Sequence, residues 1–203
     1  MMARSTVWFF SATFFGASLV MAQDTYAARF AELRARIAGG GDVSQLVREW
    51  EPKSTPPPLA RRAAGVSGLL LDVSRARVRA AACEAGVRPA LALAIVEHET
   101  GFNNSARGEK GEIGAGQIMP ATAHLFGFDT SRLAADYDYN VRSSVGIIRY
   151  LLDYFGGDEL AAIRGYNGGP GWRNASPPTL SKIETYAASV RRLRDKYVPV
   201  TCG

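Results

Sequence analysis

The run Ala90-Leu91-Ala92-Leu93-Ala94-Ile95-Val96 is apolar at every position of a helical wheel; Pro89 precedes it and Glu97-His98-Glu99-Thr100-Gly101 follows. Proline fits the first position of a helix and glycine commonly closes one, so both ends are marked. A helix without a polar face must be wrapped by other elements, which makes this segment the centre of a domain. The segments able to wrap it also have helical spacing. Residues 59–85 are helical in pattern up to Gly86, 120–126 form a short helix, and 140–155 place Val141, Val145, Ile148 and Leu152 on one face. Segments 160–166 and 180–197 complete the set. Residues 101–116, rich in Gly, Asn and charge, read as a loop or small hairpin. No strand alternation of any length appears, so the expected class is mainly α.

The first 22 residues stand apart from that domain. One Arg in the first five residues, an apolar run from Thr6 to Val20 and the small-residue pattern Val20-Met21-Ala22 form the three-part plan of a secretory signal peptide. The apolar run is short for a membrane span, with an uncleaved anchor as the alternative. No Cys follows the cleavage site, so the expected location is exported and periplasmic, without a lipid anchor. Residues 23–58 form an accessory segment. A short amphipathic helix carrying Phe30, Leu33 and Ile37 meets Gly39-Gly40-Gly41, and Pro56-Pro57-Pro58 marks a linker. The third region, 59–203, is the domain that carries the chemistry. In an oxidising compartment Cys83 and Cys202 have two readings, a bridge tying the C-terminus to an early helix or two unrelated thiols.

The 203 residues carry 24 Lys and Arg against 19 Asp and Glu, a formal charge of +5. The basic residues come as pairs at most, Arg61-Arg62 and Arg191-Arg192, and otherwise sit at helical spacings, so they read as solvated faces and no nucleic-acid partner is expected.

Glu99 is the first candidate for chemistry. A carboxylate ending an apolar helix is partly desolvated and lies at the negative end of the helix dipole; both favour the protonated form that a general acid needs. The structural alternative is a solvated terminal Glu, and Glu97 points elsewhere around the helix. Two polar patches follow, Gly114-Ala115-Gly116-Gln117-Ile118-Met119-Pro120 and Tyr166-Asn167-Gly168-Gly169-Pro170-Gly171. Their amides and phenol offer the donors and acceptors that sugars need, presented from turns on a helical scaffold; turn chemistry alone is the other reading. Gly114 and Gly116 make no dinucleotide fingerprint, since no strand precedes them and the third Gly is missing. His98-Glu99 lacks the second His of a zinc-protease helix, and neither a Walker loop nor a nucleophile elbow occurs.

Together these segments resemble a known family. Residues 94–103, from Ala94 to Asn103, resemble the catalytic Glu-Ser segment of soluble lytic transglycosylase (SLT) domains, with Thr100 at the Ser position. Residues 114–123 are similar to the family's second motif, 140–156 to its third, and Gly165-Tyr166-Asn167-Gly168-Gly169-Pro170-Gly171 to its Ala-Tyr-Asn-Ala-Gly-Pro-Gly motif. Order and spacing agree over about residues 80–197. The resemblance implies a lysozyme-like helical fold and cleavage of the β-1,4 bond between N-acetylmuramic acid and N-acetylglucosamine in peptidoglycan glycan strands. It implies Glu99 as lone acid/base, Tyr166 beside it to orient it, Thr100, Gln117 and Asn167 as substrate-binding groups, and no cofactor or metal.

The chain departs from the family pattern at several places. Gly116 replaces the usual Met before Gln, Gly165 replaces Ala, and Ser144 and Ile147 replace a Gly and a Tyr. Glu184-Thr185 abuts Tyr186 more closely than in the family, which argues against a substrate role for Glu184. Two rival functions stay open. A goose-type-like hydrolase would need a second carboxylate to activate water, and Glu109 and Glu112 lie in the loop before Gly114. A wall-binding scaffold would keep the fold without turnover, although it would have no use for Glu99. The chain's small size also resembles specialised members that open the wall for an envelope-spanning secretion or appendage complex.

Overall fold

The computed structural model describes residues 68–202. The signal peptide at 1–22, the accessory segment at 23–58 and the start of the helix expected from 59 lie outside the described residues. Those described form seven α-helices and one 3-10 turn: α1 Gly68–Glu84, α2 Pro89–Thr100, α3 Pro120–Phe126, α4 Thr130–Ala135, α5 Tyr137–Tyr154, α6 Glu159–Gly168, the 3-10 turn Trp172–Asn174, and α7 Pro177–Lys196. The fold is mainly α, and the only β pairing among the described residues is two isolated bridges joining Ile113 to Arg107 and to Ile118. The stretch expected to be a loop or small hairpin is thus a loop pinned at Ile113.

The apolar helix sits where its composition demands. Pro89 starts α2, and Gly101 ends it in the left-handed conformation (φ 62°), its N–H returning to the Glu97 carbonyl. Every residue from Pro89 to Val96 is buried. α2 lies against α7 and α1 and also touches α5, while α5 packs on α1 and α6, and α6 on α7. Leu91, Leu93 and Ile95 share one core with Ile148 and Leu151 of α5 and Val190 of α7. Each such side chain contributes roughly 1.5–3 kcal/mol by leaving water.

Caps account for most boundary differences. α5 begins three residues before the expected 140 because the Asp136 carboxylate accepts from the Tyr139 N–H (3.1 Å) and fixes the start upstream. α4, too short to show a period, exists on the strength of Asp129, which accepts from the Ser131 and Arg132 N–H groups (2.8 and 3.2 Å). Asp158 caps α6 through the Ala161 N–H (3.0 Å). α7 starts at Pro177 rather than 180, since prolines have the helical φ already set and lack only N–H groups that go unpaired at a helix start.

Of the two readings of the cysteines, the structure has the bridge. Cys83, in the last turn of α1, is bonded to Cys202 across 119 residues of chain, with Cα atoms 5.6 Å apart. Arg79 on the same helix donates from Nε to the Thr201 carbonyl (2.6 Å), so the C-terminal strand of chain is held twice. Closing so long a loop restricts the unfolded chain strongly. Replacing Cys83 by Ser should therefore lower unfolding stability by about 2–5 kcal/mol, read as a fall in the urea midpoint relative to the oxidised protein. Reduction of the native protein should reproduce that shift.

Candidate active site

α2 carries its only buried carboxylate at its last turn. Glu99 is 3% exposed and accepts a hydrogen bond from the Tyr186 hydroxyl of α7 (2.9 Å). Burial first, and then the Glu99 charge beside it, push the Tyr186 phenol well above its ordinary range, so it stays a proton-bearing donor at neutral pH. The His98 ring meets the edge of Tyr186 at 4.6 Å between centroids. Glu97, as expected, faces away, pairing with Lys196 Nζ (2.9 Å) and accepting from the Tyr197 hydroxyl at the end of α7.

The second element is the loop at 114–117, held from three helices. Thr100 of α2 donates from Oγ1 to the Ala115 carbonyl (2.9 Å) and accepts from the Asn103 N–H (3.0 Å). Asn140 of α5, fully buried, accepts from the Gly116 N–H (2.9 Å) and donates to the carbonyls of Ile113 and Leu133 (3.0 and 3.1 Å). Tyr166 of α6 donates its hydroxyl to the Gly116 carbonyl (2.8 Å). Asn104 adds a fourth tie by accepting from the Ala115 N–H (3.1 Å).

That clamp holds Gln117 in a conformation it would not choose. Its φ is +48°, in the left-handed region, and its Nε2 donates to the Gly114 carbonyl (2.8 Å). Such backbone strain costs about 1–3 kcal/mol and persists only where surroundings over-determine it. The amide of Gln117 is thereby fixed in orientation, with its oxygen available as an acceptor. Asn167 occupies the end of α6 and is 5% exposed.

The structure thus brings Glu99, Thr100, Gln117, Tyr166 and Asn167 onto the ends of two helices, α2 and α6, and one loop. Tyr166 directs its hydroxyl proton to the Gly116 carbonyl, and the Tyr186 phenol donates to Glu99. The hydroxyl of Thr100 is engaged in both directions by backbone, which makes it a tie between helix and loop. Tyr186, Asn140 and Ser144 were not among the residues singled out as a site. Tyr186 is spaced like a core aromatic, and only the crossing of α7 over the end of α2 reveals its use.

Gly116 and Ser144, both departures from the family pattern, meet face to face. A Cβ on Gly116 would lie 1.8 Å from Ser144 Oγ and 3.0 Å from the Tyr166 hydroxyl. The side chain added at 144 fills the space left by the one missing at 116. Glu112 is buried at 2% exposure but turned into its own loop, accepting from the Lys110 N–H (2.9 Å) and pressing on Gly108. Glu109 is exposed. Among the described residues no group of His, Cys, Asp and Glu is arranged to hold a metal ion.

Residues 77–177, about half of the chain, match the family model described as "Transglycosylase SLT domain". Among solved structures, the chain is similar to an inactive Glu-to-Gln mutant of the lytic transglycosylase Slt from Pseudomonas aeruginosa, with a TM-score of 0.52 at 24% identity over 61% of this chain. The match spans 23% of the Slt chain, so this chain corresponds to less than a quarter of that protein's length.

The fit at Gly116 has a direct test. Gly116→Ala should destabilise the domain by roughly 1–3 kcal/mol through overpacking, and Ser144→Gly in the same chain should restore most of the loss. Chemical denaturation of the two single variants and the double variant measures that coupling.

Proposed function

We propose, from the premise that residues 77–177 are a transglycosylase SLT domain, that this protein is an exported peptidoglycan lytic transglycosylase working with one carboxylate, Glu99. The observation that carries the reading is the buried Glu99 held by the Tyr186 hydroxyl at 2.9 Å, beside a loop whose polar groups are locked in place.

Chemistry follows from that arrangement. Glu99, protonated, gives its proton to the oxygen linking N-acetylmuramic acid to N-acetylglucosamine as that bond breaks. The resulting carboxylate takes the proton of the muramoyl 6-hydroxyl while that oxygen bonds to C1 and closes a 1,6-anhydro ring. Proton and atoms balance without water. The attacking hydroxyl belongs to the same sugar, so proximity lowers the barrier and no second carboxylate has to activate a nucleophile. Glu112 supports this division, since its carboxylate is occupied in ordering its own loop. Tyr186 steadies Glu99, Gln117 and Asn167 contact sugar groups, and Thr100 and Tyr166 keep the Gln117 loop in register with the acid.

The Cys83–Cys202 bond supports export, because such bridges persist in oxidising compartments.

Digestion of purified peptidoglycan with residues 23–203, followed by mass spectrometry, tests the reaction. Products with anhydro ends, lighter by one water than hydrolytic ones, are expected. Reducing ends would instead identify a hydrolase and point to Glu109 or Glu112. Glu99→Gln should lower turnover by about 10²–10⁴-fold, the usual worth of a general acid, with an unchanged circular dichroism spectrum. Tyr186→Phe should lower kcat by roughly tenfold, the worth of one hydrogen bond to a charged group, while leaving KM nearly constant.

A further inference from the structure

Beyond the residues that touch the scissile bond, an aromatic and cationic shelf borders the site. Trp172 packs with Ile183 and Ala161 in a small apolar cluster of its own. Ile183 lies on α7 three residues before Tyr186, on the same buried side and about 4.5 Å away along the helix axis. Gly168, immediately after Asn167, is pressed between the same two residues: a Cβ there would lie 2.4 Å from Ile183 Cδ1 and 3.1 Å from Trp172 Cβ. Two independent links thus set Trp172 against the site, one through the helix carrying Tyr186 and one through the helix end carrying Asn167.

Two guanidinium groups cover the Trp172 ring. Arg164 lies 5.0 Å and Arg173 4.6 Å from its centroid. Their situations differ. Arg164 is paired with Glu184, its Nη2 donating to Oε2 at 2.9 Å and its Nε lying 2.8 Å from Oε1. Arg173 is exposed, and its contacts among the described residues are the rings of Trp172 and Phe155, the latter at 5.2 Å. Stacking engages the flat faces of a guanidinium and leaves its N–H edge directed outward, the geometry that binds a carboxylate with two parallel hydrogen bonds. Arg164 shows what such an edge takes when a carboxylate is near.

We propose that Arg173, stacked on Trp172 and Phe155, binds a carboxylate of the stem peptide carried by the N-acetylmuramic acid residues, so that the enzyme prefers peptide-bearing strands. The inference rests on the peptidoglycan reading above. In a peptide-bearing strand the lactyl carboxyl of each muramic acid is tied up as an amide and the anions are those of the stem peptide, whereas stripping the peptide leaves only the lactyl carboxylate on the sugar itself.

The experiment compares kcat/KM of wild type and Arg173→Gln on two substrates, peptide-bearing strands and strands stripped of peptides by an amidase. The ratio between the substrates should fall about tenfold in Arg173→Gln, matching loss of one charge-assisted contact. Arg173→Lys, which keeps the charge but lacks the planar fork, should recover part of the preference. An equal loss on both substrates, leaving the ratio unchanged, would overturn the assignment and make Arg173 a glycan contact or a support of the fold. Should wild type release anhydro ends from neither substrate, the transglycosylase reading fails by itself. Calorimetric binding of a soluble stem tetrapeptide then decides for Arg173: binding lost in Arg173→Gln upholds the site, and absence of binding to wild type ends it.

Discussion

The peptide unit of Gly116 is gripped from three sides, and the site is organised around that grip. Asn140 takes its N–H, Tyr166 supplies a donor to its carbonyl, and Ser144 occupies the space where a side chain would begin. Those partners come from α5 and α6, while Thr100 at the end of α2 holds the neighbouring Ala115 carbonyl. A backbone amide buried without partners costs about as much as a lost hydrogen bond, so each of these ties must be made for the loop to be buried at all. Once they are made, the left-handed turn at Gln117 has no softer alternative. The loop thereby couples the position of one polar amide to three helices, so a displacement of any of them is felt at Gln117.

The acid is positioned by a different route. Glu99 depends on the packing of α7 across the end of α2, which delivers Tyr186, and on the left-handed αL stop at Gly101 that ends the helix where the carboxylate can face inward. A buried carboxylate needs a donor, and the Tyr186 phenol supplies one. Glu99 and the Gln117 loop are thus supported by separate contacts that converge only because α2, α5, α6 and α7 share one core. The helical scaffold serves as the rigid frame on which a few polar groups can be held at fixed separation.

Much of this was legible in the residues themselves, and the differences have physical causes. The apolar run at 90–96, with Pro89 and Gly101 as punctuation, predicts a buried helix ending at Glu99, and α2 is that helix. The helix at 120–126 is marked at both ends by Pro120 and Gly127 and falls where expected. Boundaries set by Asp136, Asp158 and Pro177 differ by one to three residues because a cap acts through one hydrogen bond or one fixed dihedral, against which hydrophobic period is a blunt measure. Thr100 and Tyr166 stood out as residue types, but which atom each would meet depended on how the loop folded back.

Local sequence determined the helices, their order, the acidic residue at the end of the central one and the turn residues that present Gln117 and Asn167. Periodicity, proline, glycine and capping chemistry act over a few residues, so one chain carries them openly. Tertiary structure decided that Tyr186 donates to Glu99, that Asn140 and Ser144 close around Gly116, that Glu112 folds into its own loop, that Cys83 reaches Cys202, and that Arg164 rather than Arg173 pairs with Glu184. Each of these pairs groups on different helices or loops, and their meeting is set by the angles and offsets at which whole elements pack. Those angles emerge from the summed fit of many apolar side chains, in which no single residue announces its partner.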